Sequence, residues 1–298
     1  VTLEQLRVFV AVAEALHFTR AAETLHLSQP AVSAAVAALE AEHGLRLFDR
    51  IGRRVELTAA GTLLHREARA ILLKVEEAGT MLGELSGLTR GSLRLAASQT
   101  VGNHWLPPRL LRFAAVHPGI RVDLTIGNTE QVAEAVRDGR AELGITEGAV
   151  ADPALLSDAV PGDRLRLVVG SRHPWATRGR VKRDELAAAR WVLREPGSGT
   201  RALFDQAIRA AGLDPAGLEV AMTLPGGCII RAALLAGVGA GVLSDLVVAE
   251  DLAAGRIVAL EGLELPARCF HLVRHRDRHR SIAERALVRI ALGEDAPS

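Results

Sequence analysis

Residues Phe18 to Phe48 constrain the fold more than any other part of this 298-residue chain. They read F-T-R-A-A-E-T-L-H-L-S-Q-P-A-V-S-A-A-V-A-A-L-E-A-E-H-G-L-R-L-F. Two short amphipathic helices around a tight turn at Leu27-Ser28 fit this pattern, which has the spacing of a helix-turn-helix. Leu3 to Ala15 precedes it and puts Leu3, Leu6, Phe9, Val10 and Ala13 on one helical face. Thr19 is positioned to cap the second helix, with Ala21, Ala22 and Leu25 inward. Ser28 is positioned to cap the third, with Gln29 and Pro30 in its first turn, where a missing N–H does no harm. Val32, Val36 and Leu39 then face a core and Gly44 ends the helix. Ser33 and the first-turn residues point outward, as the base-reading positions of a helix-turn-helix do.

Leu47–Arg50 and Val55–Thr58 read as short strands around a turn at Gly52, a wing with Arg50, Arg53 and Arg54 near its tip. Arginines there suit phosphates or a minor groove. Thr58 then caps a long helix running to about Leu88. Its apolar residues Leu64, Ala68, Ile71, Val75, Ala78, Leu82 and Leu85 recur in alternating steps of four and three. That heptad seam is narrow and flanked by charge, which predicts a partner helix rather than a broad core-facing stripe.

Leu88-Thr89-Arg90-Gly91 breaks the helix, and the pattern changes. Short apolar runs at 93–97, 122–126, 143–146, 165–169, 191–193, 220–222, 241–243 and 269–273 alternate with helical stretches at 106–116, 130–138, 201–211, 229–236 and 245–253. This predicts parallel sheets with crossover helices. About 200 residues of it suit two small α/β subdomains better than one. The expected division is 1–58 for a DNA-reading head, 59–89 for a dimerising helix and 90–298 for an effector-binding body. The body itself divides into 90–162 with 267–298, and 163–266. Pro161–Arg164 and Pro266–Arg268 are the crossings between its halves.

Charge excludes a global electrostatic footprint for nucleic acid: the formal net charge is +1. The first 65 residues hold six arginines against seven carboxylates, so DNA attraction must come from a local cluster, and Arg50, Arg53 and Arg54 are the tight one. Two distant cysteines, Cys228 and Cys269, fit a reduced cytoplasmic protein better than a disulfide scaffold. Neither a signal peptide nor a membrane-spanning apolar run is apparent.

Ligands of open α/β sheets bind beyond the carboxyl ends of the strands. Those positions hold Ser98-Gln99-Thr100, Asn128-Thr129, Glu147-Gly148, Arg194 to Arg201 with Ser198-Gly199-Thr200, and Leu224 to Cys228. Hydroxyls and glycines at helix starts leave N–H groups free and favour negative charge. The starts at Ser98–Thr100 and Ser198–Thr200 are expected to face each other across a cleft suited to a small anion. Arg194 or Arg201 is a candidate countercharge, opposed by Glu147 and Glu195. Enzymatic signatures are weak: G-x-S-x-G is absent, and the glycine-rich loop lacks the ending of a phosphate-cradling loop. His271, His275 and His279 recur every four residues, but the run crosses from strand to loop and reads as a solvated basic surface rather than a metal site. No catalytic residue, metal or cofactor is expected. A solute-binding protein without DNA function is the alternative that the body alone supports.

The blocks A-A-E-T-L-H-L-S-Q-P-A-V-S-A-A-V-A-A-L-E, G-L-R-L-F-D-R and L-T-A-A-G resemble the winged-helix signature of LysR-type transcriptional regulators. The resemblance implies a winged helix-turn-helix, a dimerising linker helix and an α/β inducer domain built like a periplasmic binding protein. It also implies homotetramers that bind promoter DNA and respond to a small coinducer. The DNA-contacting positions it implies match Ser28, Gln29, Pro30 and Ser33, with Arg50, Arg53 and Arg54 from the wing. Ala34 and Ala35 follow Ser33 where many relatives carry polar groups, which implies sparser base readout and more reliance on phosphate and shape. In the body, A-S-Q-T-V-G-N, G-N-T, T-E-G and R-E-P-G-S-G-T-R look similar to the branch of CbbR-type and sulfite-responsive regulators. That similarity implies an effector cleft lined by Ser98, Gln99, Thr100, Asn128, Thr129, Ser198 and Thr200.

Overall fold

The structure, a computed structural model, describes residues 1–51, 54–85 and 91–294. It separates into two compact units, Val1–Leu88 and Thr89–Ser298. The expected turn at Gly52, the residue Arg53 and the helix break at Leu88–Arg90 lie outside the described residues.

The first unit opens with α1 (Leu3–Ala15), which is closed at its start by a reciprocal box between Thr2 and Gln5. Helix α2 (Phe18–Leu25) starts at His17, whose ring Nδ1 accepts the Arg20 N–H at 3.3 Å. Thr19 is therefore inside the helix and exposed, not its cap, because the imidazole one residue before Phe18 already takes that role. His26, in the left-handed region, turns the chain into α3 (Gln29–His43), which Ser28 caps and Gly44 ends. Val32, Val36 and Leu39 are buried as expected. On α1 the buried set is Leu6, Val8, Phe9, Val12 and Ala13, while Leu3 is 42% exposed. The stripe is wider than one face because α1 is covered by α2 and α3 on one side and by the long helix on another.

The wing consists of β1 (Phe48–Ile51) and β2 (Arg54–Leu57), antiparallel, with Arg50 opposite Val55. Each strand is displaced by one residue from its expected bounds. Leu47 stays out of the ladder because Glu40 of α3 accepts its N–H at 2.7 Å. Helix α4 (Ala59–Leu85) runs 27 residues, about 40 Å at the usual rise. Thr58 caps it by accepting the Gly61 N–H at 2.9 Å. Gly61 allows a close approach: a Cβ there would lie 2.1 Å from the Leu47 carbonyl oxygen. The expected seam divides. Ala68 is fully buried, and Leu64 packs beside it against the core around Phe9 and Phe48. Ile71, Val75 and Leu82 are exposed at 46%, 38% and 68%. The first part of the seam thus belongs to the head's own core.

The second unit holds two five-stranded sheets. The first has the order β4-β3-β5-β12-β6, from β3 (Gly91–Ser98), β4 (Ile120–Gly127), β5 (Leu143–Thr146), β6 (Leu155–Val160) and β12 (Phe270–His275). The second has the order β11-β7-β10-β8-β9, from β7 (Leu165–Gly170), β8 (Arg190–Arg194), β9 (Glu219–Leu224), β10 (Ala240–Ser244) and β11 (Ile257–Leu260). The chain passes between sheets after Val160 and returns before Phe270. The connecting helices are α5 (Pro107–Val116), α6 (Thr129–Arg137), α7 (Arg183–Ala188), α8 (Gly199–Ala210), α9 (Gly227–Leu235) and α10 (Asp245–Ala253), followed by α11 (Ile282–Leu292).

The sheets are mixed rather than parallel. Strand β12 runs antiparallel to β5 and β6, and β7 runs antiparallel to β10 and β11. Both exceptions are strands that enter directly from the other sheet, without the crossover helix that makes neighbours parallel. Each sheet has its own core, one around Trp191 and Phe204, the other around Phe113, Leu143 and Phe270. The edge strands β6 and β11 and the helices α7 and α11 add to the expected set.

Candidate nucleic-acid interface and effector cleft

On the head, Ser28, Gln29 and Pro30 are exposed in the first turn of α3, and Ser33 is half-buried one turn later. Gln29 Nε2 donates to Ser33 Oγ at 2.7 Å, so two of the expected base-facing groups already hold each other. Arg54 is exposed on β2, and Arg50 lies in β1. Thr19 stands exposed in the first turn of α2, beside Arg20.

In the second unit, the carboxyl ends of β3, β5 and β8 converge. Ser98, Thr100, Glu147, Ser198 and Thr200 are each less than 5% exposed. Glu147 stands between the two expected helix starts. Its Oε1 accepts the Thr100 backbone N–H at 2.6 Å, and its Oε2 accepts the Thr200 hydroxyl at 2.9 Å. The starts therefore do face each other, and a carboxylate of the chain itself bridges them. Gly148 and Gly199 meet where a Cβ on the former would lie 3.5 Å from the Cα of the latter. Asn128 caps α6 through the Gln131 N–H and also donates from Nδ2 to the Pro196 carbonyl at 3.3 Å. The Glu130 N–H reaches the Gly197 carbonyl at 3.3 Å. Gly197 has φ +83°, and a Cβ there would meet the Glu130 carboxylate at 2.5 Å, so only glycine suits this closing loop.

Two hydroxyls in this region, those of Ser98 and Thr129, are buried with no hydrogen-bond partner. Gln99 is half-buried and turns toward the Gly226 loop, its Oε1 accepting from Asn103 at 3.3 Å. Beyond Thr100 the backbone makes a π-helical turn, Val101–Trp105, of a kind frequent at functional sites.

Arg194 is 3% exposed, forms a bidentate pair with Glu195 at 2.8 Å, and brings Nη1 to 3.9 Å from Glu147. Arg201 turns away to Asp205 at 2.9 Å and is not a countercharge here. Arg268 is the second buried cation, missed at the sequence level because it sits in a short crossing segment with no motif. Its Nη1 donates to Thr200 at 2.9 Å and to Glu147 at 3.3 Å, while Nε and Nη2 grip Asp163. Burial alone raises the Glu147 pKa. Arg268, Arg194, the Thr100 N–H and the Thr200 hydroxyl outweigh it and hold the carboxyl below the ordinary range.

His271 and His275 lie on β12 and His279 beyond it, and His271 Nδ1 is 3.2 Å from Ser157 Oγ. Among the described residues no group of three or more His, Cys, Asp or Glu side chains is arranged to hold a metal ion. Cys228 and Cys269 are free and exposed. No described helix is long and apolar enough to cross a membrane.

Residues 3–62 match the family model for the bacterial regulatory helix-turn-helix protein, lysR family, and residues 86–296 match the LysR substrate binding domain. The chain is 36% identical over 290 residues to the uncharacterized HTH-type transcriptional regulator YeiE of Escherichia coli (strain K12), covering 97% of this chain and 96% of that one. It is 33% identical over 288 residues to the HTH-type transcriptional regulator CbbR of Rhodospirillum rubrum, covering 96% and 94%. The full-length CbnR complexed with its target DNA superposes with a TM-score of 0.67 at 24% identity, covering 99% and 100%. The chain belongs to the LysR family: it is a DNA-binding transcriptional regulator with an effector-binding domain. A solute-binding protein without DNA function is not favoured, because the head matches a regulator's DNA-binding family in its own right.

Proposed function

We propose that this regulator binds a small anion between its two α/β subdomains and that occupancy changes its grip on promoter DNA. The observation that carries the reading is the pair of buried, unpartnered hydroxyls, Ser98 and Thr129, at a junction that also holds two buried arginines. Buried donors left unpaired cost free energy, and an oxyanion would recover it. In this reading the effector touches Ser98, Gln99, Thr100, Asn128, Thr129, Ser198, Gly199 and Thr200, with Glu147 and Gly148 forming the wall that it meets.

The head works through Ser28, Gln29, Pro30 and Ser33 in the major groove, with Thr19 at its edge. Arg50, Arg53 and Arg54 lie on flanking phosphates. Residues 1–58, 59–89 and 90–298 act as reader, dimeriser and sensor, the sensor's halves being 90–162 with 267–298, and 163–266. Dimers form through the exposed part of α4 and pair into tetramers. The protein works in the cytoplasm, without catalysis, metal or cofactor. The test is a thermal-shift series with sulfate, sulfite, phosphate and small carboxylates, followed by DNA binding with the anion that stabilises most. A shift accompanied by altered DNA affinity supports the reading; no shift with any of them rejects the anionic effector.

A further inference from the structure

Arg268 touches more of the second unit than a residue that only balances charge needs to. Its guanidinium spans three segments: Thr200 at the start of α8, Glu147 after β5, and Asp163 in the first crossing between sheets. Arg268 itself is in the second crossing. Its guanidinium carbon also lies 5.5 Å from the Phe270 ring centroid at the entry to β12. The two crossings meet backbone to backbone here, since a Cβ on Gly162 would lie 2.2 Å from the Arg268 carbonyl oxygen. Asp163 is tied in turn to the second sheet, accepting from the Ser244 hydroxyl at the end of β10. The next residue, Arg164, exchanges bonds with Asp245, N–H to carboxylate at 3.3 Å and carbonyl from N–H at 2.9 Å.

We infer that the Arg268–Asp163 pair is the positioning element that reports occupancy of the cleft to both crossing segments. The inference rests on the anionic-effector reading and deepens it. Nη1 of Arg268 points at Glu147 and Thr200, where an anion enters, while Nε and Nη2 hold Asp163. A new negative charge near Thr200 competes with Glu147 for Nη1 and shifts the guanidinium. A planar, bidentate fork cannot shift on one side without moving the carboxylate on the other. Asp163 passes that displacement to the first crossing and to β10, and the Arg268 backbone passes it to the second. Asp163 touches no effector in this scheme; it acts through Arg268.

The test uses the full-length protein, with sulfate, sulfite and phosphate as probes and a DNA fragment that the native protein selects from a random-sequence pool. Asp163→Asn keeps the shape and removes the charge. Ser244→Ala is the milder variant, leaving the Arg268–Asp163 pair intact. Expected for Asp163→Asn is an anion midpoint within about threefold of native, with the anion-dependent change in DNA affinity lost. Ser244→Ala should reduce that change several-fold, and Asp163→Glu should restore part of it. A full DNA response in Asp163→Asn overturns the inference, as does a loss of anion binding in proportion to the loss of response. If Asp163→Asn does not fold, Ser244→Ala decides alone, a native response counting against the inference. Native protein that no probe stabilises rejects the effector reading first, and this inference with it.

Discussion

Ser98 ends β3 with a hydroxyl that is buried and unpaired, in a residue only 1% exposed. Such a group costs about 1–3 kcal/mol relative to a satisfied one. Ser98→Ala is therefore expected to leave the unliganded protein as stable as native, or more stable by up to about 1 kcal/mol, while the thermal shift with the stabilising anion collapses. Lower stability without ligand would mean that the hydroxyl already has a structural role. Arg54 offers a contrasting case on the head. It is exposed at the start of β2, so removing it leaves the fold alone. Arg54→Ala should weaken binding about equally on preferred and random DNA, and lower the slope of log affinity against log salt by about 1. An unchanged slope in a fluorescence titration would remove this arginine from the phosphate contacts. Ser33→Ala should instead alter sequence preference, since its hydroxyl stands in the first turns of α3.

The elements differ in how plainly the sequence announces them. Caps at Ser28, Thr58 and Ser198 were legible because a hydroxyl before an apolar-periodic run has one efficient use. Helix α2 was harder: a histidine ring performs the capping that hydroxyl-based reasoning assigned to Thr19. The direction of β7 and β12 was not legible either, since alternation of strands and helices does not say which strands arrive without a crossover helix. In the cleft, Ser98, Thr100, Ser198 and Thr200 were readable as helix starts. Arg268 and Asp163 were not, being brought together from segments 105 residues apart. The seam on α4 shows the same limit, because the repeat alone does not say that Leu64 and Ala68 pack into the head's own core while Ile71, Val75 and Leu82 stay exposed. Val75→Glu, at an exposed position, is expected to yield monomers with an intact head. Ala68→Glu, at a fully buried one, is expected to unfold the head, since an unpaired charge would enter its core. Light scattering with circular dichroism separates the two, and a folded dimer of Val75→Glu would exclude this seam as the interface.

At the scale of the whole molecule, acid is expected to loosen the effector-binding unit through Glu147. Its pKa is lower in the fold than in an unfolded chain, against the cost of burial, because Arg268 and Arg194 face it. A carboxylate of that kind contributes its full stabilisation above the unfolded value, about 4.3, and loses it as pH falls through the folded one. Glu284 works in the opposite sense: burial raises its pKa despite Arg280, so its protonation favours the fold as pH drops. The two are separable by substitution. Glu147→Gln removes one of the two carboxylates that face each arginine, while Asp163 still pairs Arg268 and Glu195 still pairs Arg194, so the loss should fall below the roughly 3–5 kcal/mol of a buried pair broken outright. The gap between native and Glu147→Gln stability should therefore be widest near neutrality, remain flat down to about pH 5, and narrow below about 4.3, where the unfolded chain's carboxyl takes up a proton that the folded one still refuses. Chemical denaturation of both proteins across pH 3 to 8 measures it. A gap of constant width would show that Glu147 stabilises the cleft by shape and hydrogen bonding, with its charge contributing nothing.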